Sequence, residues 1–186
     1  PVELYTTKAC QEQGMNYATY AGKWDTLPDF DKLTPVKKGV LNHIDQKHLM
    51  GALLTWLKTT KKDGKDHQTV HPSSLKVTGY LKARRAGDYA FSLKSNGPSR
   101  LVVDSKVVID DDGQREKNFF AYKVKRGTVH LEPGVHAFVL TYSGGGNPRH
   151  SSLDITFPRA FARSLVVGDM DSSRLMAGAL LAQGKP

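Results

Sequence analysis

The chain has 186 residues, 39% of them apolar and 24% charged. That balance supports one folded domain with a buried core and excludes wholesale disorder. The formal charge of +9 suits an anionic partner, and the single cysteine, Cys10, excludes a disulfide framework and a multi-cysteine zinc site.

Residues 1–13 read as an N-terminal arm, and composition leaves the cellular compartment open. Between Lys37 and Arg85, eleven lysines and arginines stand against three aspartates, so nearly all the excess positive charge lies there. Lys58, Lys61, Lys62, Lys65, Arg84 and Arg85 form the candidate basic patch. Such a run is either an electrostatic footprint for polyanions or a solvated face that keeps the protein soluble. From Asp45 to Lys58, Leu49, Leu53 and Leu57 recur at four-residue spacing beside Met50, Leu54 and Trp56, which predicts a helix. The polar stretch Thr59 to His71 reads as an exposed loop. Residues 45–71 together are expected to be a basic helical insertion.

From Leu75 to Phe157 the pattern is one of strands and turns. Tyr89, Phe91 and Leu93 alternate with Ala90, Ser92 and Lys94, the period of a half-buried strand. Arg100 to Val103 and Lys106 to Ile109 are short β-branched runs around Asp104-Ser105, which predicts a hairpin. Gly127 to Leu131 ends at Glu132-Pro133-Gly134, the composition of a type II turn. His136 to Tyr142 alternates again, and Leu153, Ile155 and Phe157 form a last strand. Short strands at this spacing predict an all-β sandwich or barrel over residues 14–158. Residues 159–186 form a C-terminal extension, in which Asp171 or Ser172 caps a short helix through Leu175, Met176, Ala179 and Leu180 that ends at Gly184. No apolar run approaches the roughly 18 residues of a membrane-spanning helix, so no transmembrane segment is expected.

Four phrases occur in order. The first runs from Gly14 through Tyr17, Tyr20, Gly22 and Trp24 to Leu27-Pro28-Asp29-Phe30. The second is Val77-Thr78-Gly79-Tyr80, then Ala86-Gly87-Asp88-Tyr89-Ala90-Phe91. The third is Ser99-Arg100-Leu101 through Asp104 to Val108-Ile109-Asp110 and Gly113. The fourth is Val129-His130-Leu131, Pro133-Gly134-Val135-His136 and Tyr142. Together they resemble the protective-antigen fourteen-kilodalton domain family, a β-barrel module of glycosidases, yeast adhesins, bacterial surface proteins and toxins. The resemblance covers residues 14–158. It implies a non-catalytic binding module that recognises carbohydrate; the basic segment adds the expectation of an acidic glycan, and the expected setting is extracytoplasmic (secreted, periplasmic or cell surface). Loops 95–99, 110–118 and 143–150 are expected to form the contact end, with Asn96, Asp104, Asp110, Asp112 and Asn147 as ligand-binding residues. Glycan-binding members resemble calcium lectins that use an Asp-Asp pair, and many bacterial members carry Ser-Asp-Asp-Gly-Ser-Arg-Leu. Here the phrase is Ser95-Asn96-Gly97-Pro98-Ser99-Arg100-Leu101. Asn96 offers one neutral oxygen and Gly97 none, whereas a hard cation needs several carboxylate or carbonyl oxygens. No cofactor is therefore expected to be required, and calcium is disfavoured. The 45–71 stretch is also longer than the family needs. A structural or accessory subunit, docking on a larger protein complex through the inserted helix and the tail, is the alternative.

Other candidate chemistry is thin. Asp110, Asp112 and their neighbours either supply oxygens to a metal, with Asn96 and Asp104 approaching them, or form a turn of αL-tolerant residues. His43 and His48 lack a His-Glu-x-x-His frame, which speaks against zinc. Gly144-Gly145-Gly146 precedes Asn147-Pro148 and not the Gly-Lys-Ser/Thr of a phosphate loop. Ser151, Ser152 and Asp154 lie near His150 without a nucleophile elbow, so no enzyme is expected. Trp24 and Trp56 are candidates for sugar stacking or for packing. Nucleic-acid binding is disfavoured, because no aromatic other than histidine lies between Lys58 and His71.

Overall fold

The computed structural model describes residues 3–22, 24–54, 58–62, 65–69, 72–113, 122–144 and 151–158, with backbone course alone for 54, 58–62, 65–69 and 72–73. Its strands are β1 (Glu3–Tyr5), β2 (Met15–Ala21), β3 (Lys37–Leu41), β4 (Lys58–Lys62), β5 (Lys65–Thr69), β6 (Pro72–Ala83), β7 (Gly87–Ser95), β8 (Ser99–Val103), β9 (Lys106–Asp111), β10 (Lys123–Leu131), β11 (Gly134–Ser143) and β12 (Leu153–Thr156), and helix α1 spans Gln46–Leu54. The strands form a seven-stranded sheet, β3-β2-β6-β11-β8-β9 with β1 also on β6, and a three-stranded sheet, β10-β7-β12. Every pairing is antiparallel. The all-β sandwich expected from the sequence is the observed fold.

Alternation decides the inner faces. β7 buries Tyr89, Phe91 and Leu93, as its period predicts. Leu75, Val77 and Leu81 of β6, Leu101 and Val103 of β8, and Phe138, Leu140 and Tyr142 of β11 complete the core. Phe157 joins the two sheets, lying edge-on to Phe91 (5.7 Å between centroids) and to Phe138 (5.6 Å). The β8–β9 hairpin turns at Asp104 (φ 47°) and Ser105 (φ 64°), two successive left-handed residues as a type I′ turn requires. The Glu132-Pro133 turn does not make a hairpin. It carries the chain from β10 in the small sheet to β11 in the large one. Glu3–Tyr5 pairs with β6, so part of the expected N-terminal arm belongs to the sheet.

The insertion departs from the sequence reading. Helix α1 is described over Gln46–Leu54, Lys58 belongs to β4 and not to the helix, and Trp56 and Leu57 lie outside the described residues. Asp45 is its N-cap: Oδ1 accepts from His48 N (2.9 Å), and its carbonyl accepts from Leu49 N (2.9 Å). Leu49, Met50, Ala52 and Leu53 are buried, and the helix packs against β12, β6 and β2. Nine residues are too few to hold a helix alone, so docking stabilises it. The expected loop after it is a hairpin, with Lys58 pairing Thr69 and Lys62 pairing Lys65. Asp63-Gly64 is the dipeptide between them, a favoured two-residue hairpin connection, and Thr59 and Thr60 suit a strand. The expected C-terminal helix lies outside the described residues.

Candidate ligand-binding end

Strand register brings three connections to one end of the sandwich. Ser95 pairs with both Lys123 and Leu153, and Ser99 pairs with both Asp111 and Tyr142. The 95–99 connection, the exit of β9 and the exit of β11 are therefore neighbours. Loops held by a rigid sheet in this way are where ligands commonly bind.

This end is built on a hydroxyl network that the sequence reading missed. Ser95 Oγ donates to the Gly97 carbonyl (2.9 Å) and lies 2.8 Å from Ser99 Oγ. Ser74 Oγ donates to Ser143 Oγ (3.0 Å), and Gln46 Nε2 donates to Ser152 Oγ (3.1 Å). All five serines are buried. Each breaks an apolar alternation where a strand enters a loop, which is the one signal that marks them in the sequence. Asn96 belongs to this scaffold. Its Oδ1 accepts from Tyr142 OH (2.8 Å) and from Ser152 N (2.8 Å), and its N–H donates to the Ser152 carbonyl (3.1 Å). The side-chain oxygen expected to face a ligand instead ties the 95–99 loop to β11 and β12. A Cβ on Gly97 would sit 2.0 Å from the Ser143 carbonyl oxygen, so no aspartate fits there on this backbone.

Asp110 and Asp112 are held by an arginine. Arg100 Nη2 lies 3.1 Å from Asp110 Oδ2 and 3.1 Å from Asp112 Oδ2. Asp112 Oδ1 accepts from Leu27 N (2.6 Å), and Asp110 Oδ1 accepts from Asp112 N (3.1 Å). The guanidinium takes the position of a cation between the two carboxylates, and the cluster pins the chain at Leu27 to the exit of β9. Among the described residues no group of three or more His, Cys, Asp or Glu side chains is placed to hold a metal ion.

Other candidates do not converge here. Asp104 sits at the β8–β9 turn, at the opposite end of the hairpin from Asp110 and Asp112. Its Oδ1 accepts from Ala137 N (3.0 Å) and its Oδ2 is hydrogen-bonded to His136 Nδ1. It shapes the turn and cannot approach Asn96. The basic patch is likewise divided. The β4–β5 hairpin leads into Pro72, whereas Arg84 and Arg85 follow Ala83, the other end of a strand about 36 Å long. Arg84 pairs with Glu3, and the Arg85 carbonyl accepts from Tyr89 OH (2.9 Å). Asn147 and the side chains of Lys58, Lys61, Lys62 and Lys65 lie outside the described set. The Trp24 ring packs on Gly22. A surface concavity of about 590 Å³ lies on the outer face of β3, β2 and β6, lined by residues including Asn16, Tyr20, Lys38, Val40, Lys76 and Thr78. Lys76 there pairs with Asp31 (2.6 Å).

The sequence profile of the PA14 domain matches residues 11–165. Among solved structures, the PA14 domain of the MpAFP antifreeze protein is similar, with a TM-score of 0.51 and 14% identity over 87% of this chain and 86% of that one. A structure described as the PA14 sugar-binding domain from an RTX adhesin has a TM-score of 0.50 and 16% identity, over 77% of this chain and 88% of that one. The β-glucosidase of Kluyveromyces marxianus, solved with glucose, has a TM-score of 0.56 and 17% identity over 86% of this chain, which spans only 18% of the enzyme. No curated protein sequence matches.

Proposed function

Because this chain belongs to the PA14 domain family, we propose that it is a non-catalytic carbohydrate-binding module whose contact surface is the loop end. The carrying observation is that the 95–99 connection and the exits of β9 and β11 meet on one rigid, hydrogen-bonded scaffold. A fold of the same kind is described as sugar-binding in the RTX adhesin. The serines of this end bond to one another, to the Gly97 carbonyl and to Gln46, and Asp110 and Asp112 bond to Arg100 and to backbone N–H groups, which suits a framework for recognition and not a reacting centre.

Binding is proposed to be independent of calcium. Asn96 and Gly97 replace an acidic pair, Asn96 Oδ1 is already engaged, and Arg100 neutralises Asp110 and Asp112. An acidic glycan suits the net charge, and an extracytoplasmic site suits such a ligand. A glycan array run with calcium and again with chelator tests the reading. Equal binding to the same glycans under both conditions is expected. No binding under either condition sinks the carbohydrate claim, and binding abolished by chelator sinks its calcium independence.

A further inference from the structure

A second concentration of positive charge lies outside the 37–85 segment. Lys123, Lys125 and Arg126 are exposed on β10, an edge strand of the small sheet. Register sets Val124 opposite Lys94 and Arg126 opposite Ser92 on the outer face of that sheet. Tyr122, 49% exposed, has Lys94 Nζ 4.9 Å from its ring centroid, and Val124 is 50% exposed. Five consecutive residues thus present three cations, an aromatic ring and an aliphatic side chain to solvent, with a fourth cation on the next strand. Asp154 is the acid that flanks Lys94, from β12. Among the described residues Lys123, Lys125 and Arg126 form no ion pair. Lys123 pairs with Ser95, so the patch begins where the loop end begins.

We propose that β10, with Lys94 and Tyr122, is a binding site for an anionic polysaccharide. The proposal rests on the carbohydrate-binding reading above and supplies the place where negative charge is read. An extended strand sets Lys123 and Lys125 about 7 Å apart on one face and turns Arg126 to the other. Arg126 and Lys94 share the outer face with Val124 and the Tyr122 ring, and Lys123 and Lys125 flank them from the other face, so the cations straddle the strand and can meet an extended polyanion lying along it. Carboxylate or sulfate groups pair with the cations, while Tyr122 and Val124 offer a small apolar platform to a sugar ring. Single-stranded nucleic acid is the poorer match. Its sites stack successive bases on several aromatic rings, whereas this patch has one ring and Lys94 lies against it. Lysine on an edge strand also discourages strand-to-strand association, but that role needs neither the exposed tyrosine nor the valine beside it.

Affinity is measured on the full chain for heparin, which carries sulfate and carboxylate, for polygalacturonate, which carries carboxylate alone, and for a single-stranded DNA of matched charge. Variants are the triple Lys123→Ser/Lys125→Ser/Arg126→Ser, Tyr122→Ala, and a control, Lys58→Ser/Lys61→Ser/Lys62→Ser, with circular dichroism to check folding. Wild type is expected to bind at least one of the two polysaccharides more tightly than the DNA. The triple variant is expected to weaken that binding about tenfold or more, with a flatter salt dependence. Tyr122→Ala should weaken it about threefold, and the control less than about twofold. Binding unchanged in the triple variant, loss confined to the control, or tighter binding of DNA overturns the proposal. Wild type that binds neutral glycans on the array but neither anionic polymer overturns this site alone. Wild type that binds no glycan overturns both readings.

Discussion

Gly97 and Asn96 show how one or two atoms decide what the loop end does. The position of Gly97 against the Ser143 carbonyl leaves no room for a side chain. Gly97→Asp is therefore expected to destabilise the fold by about 2 kcal/mol, read from the denaturation midpoint. Calcium should not restore the lost stability. A Gly97→Asp protein that melts like wild type, and higher with calcium, would show that the backbone readily makes the site. His130 gives a second test at this scale. Its Nδ1 donates to Asp88 Oδ1 (2.8 Å), and that hydrogen bond raises its pKa above the ordinary 6.5. A raised folded pKa contributes stability that is complete below about pH 6.5 and is lost as pH rises through the folded value. Both side chains are largely exposed, so the contribution is small. An NMR titration should place His130 above 6.5 in wild type and closer to 6.5 in Asp88→Asn. Identical titrations would remove the assigned cause.

At the scale of elements, α1 depends on its cap and on its buried face. Asp45→Ala removes the acceptor for His48 N and is expected to cost about 1 kcal/mol, while Asp45→Asn keeps most of that stability. The hydrogen bonds from His48, backbone first, hold the Asp45 carboxyl below its ordinary pKa of 3.8. A lowered folded pKa gives stability that is present above the unfolded value and is lost as pH falls through the folded one, so the cap weakens below about pH 4. Equal chemical-denaturation midpoints for wild type and Asp45→Ala at pH 7 would argue against the cap. The leucine spacing from Leu49 to Leu53 marked this helix in the sequence because one face is buried on the sandwich. The predicted range overran at Lys58, which belongs to β4, since local periodicity carries no information on where a neighbouring hairpin begins. Asp63-Gly64 was the available sign of that hairpin, and the surrounding lysines obscured it as solvated loop.

At the scale of the whole molecule, the two sheets come into close contact where β9 meets β10. β9 is irregular beside Val108, and a Cβ on Gly127 would lie 2.0 Å from the Val108 carbonyl oxygen. Gly127→Ala should force the strands apart at a cost of about 2 kcal/mol, visible as a lower unfolding midpoint. An unchanged midpoint would show that the sheets slide apart freely. The same architecture explains which candidate residues meet. The loops around Ser95, Asp111 and Ser143 share an end because antiparallel strands return every second connection to one side. Asp104 falls on the other side for the same reason: it lies one strand length from Asp110.

Alternating apolar residues, the Asp104-Ser105 turn and the ordered glycine and aromatic phrases were enough to establish strands, their approximate limits and the family. These are local signals, set by the two-residue period of a strand and by which residues tolerate turn conformations. Only the tertiary structure decided that Asn96 turns inward to Tyr142 and Ser152, that Arg100 sits between Asp110 and Asp112, and that the basic residues of one stretch separate to opposite ends of β6 while others gather on β10. Those outcomes depend on strand order and register between residues far apart in the chain, and hydrogen-bond partners across such distances leave no periodic trace in a single sequence.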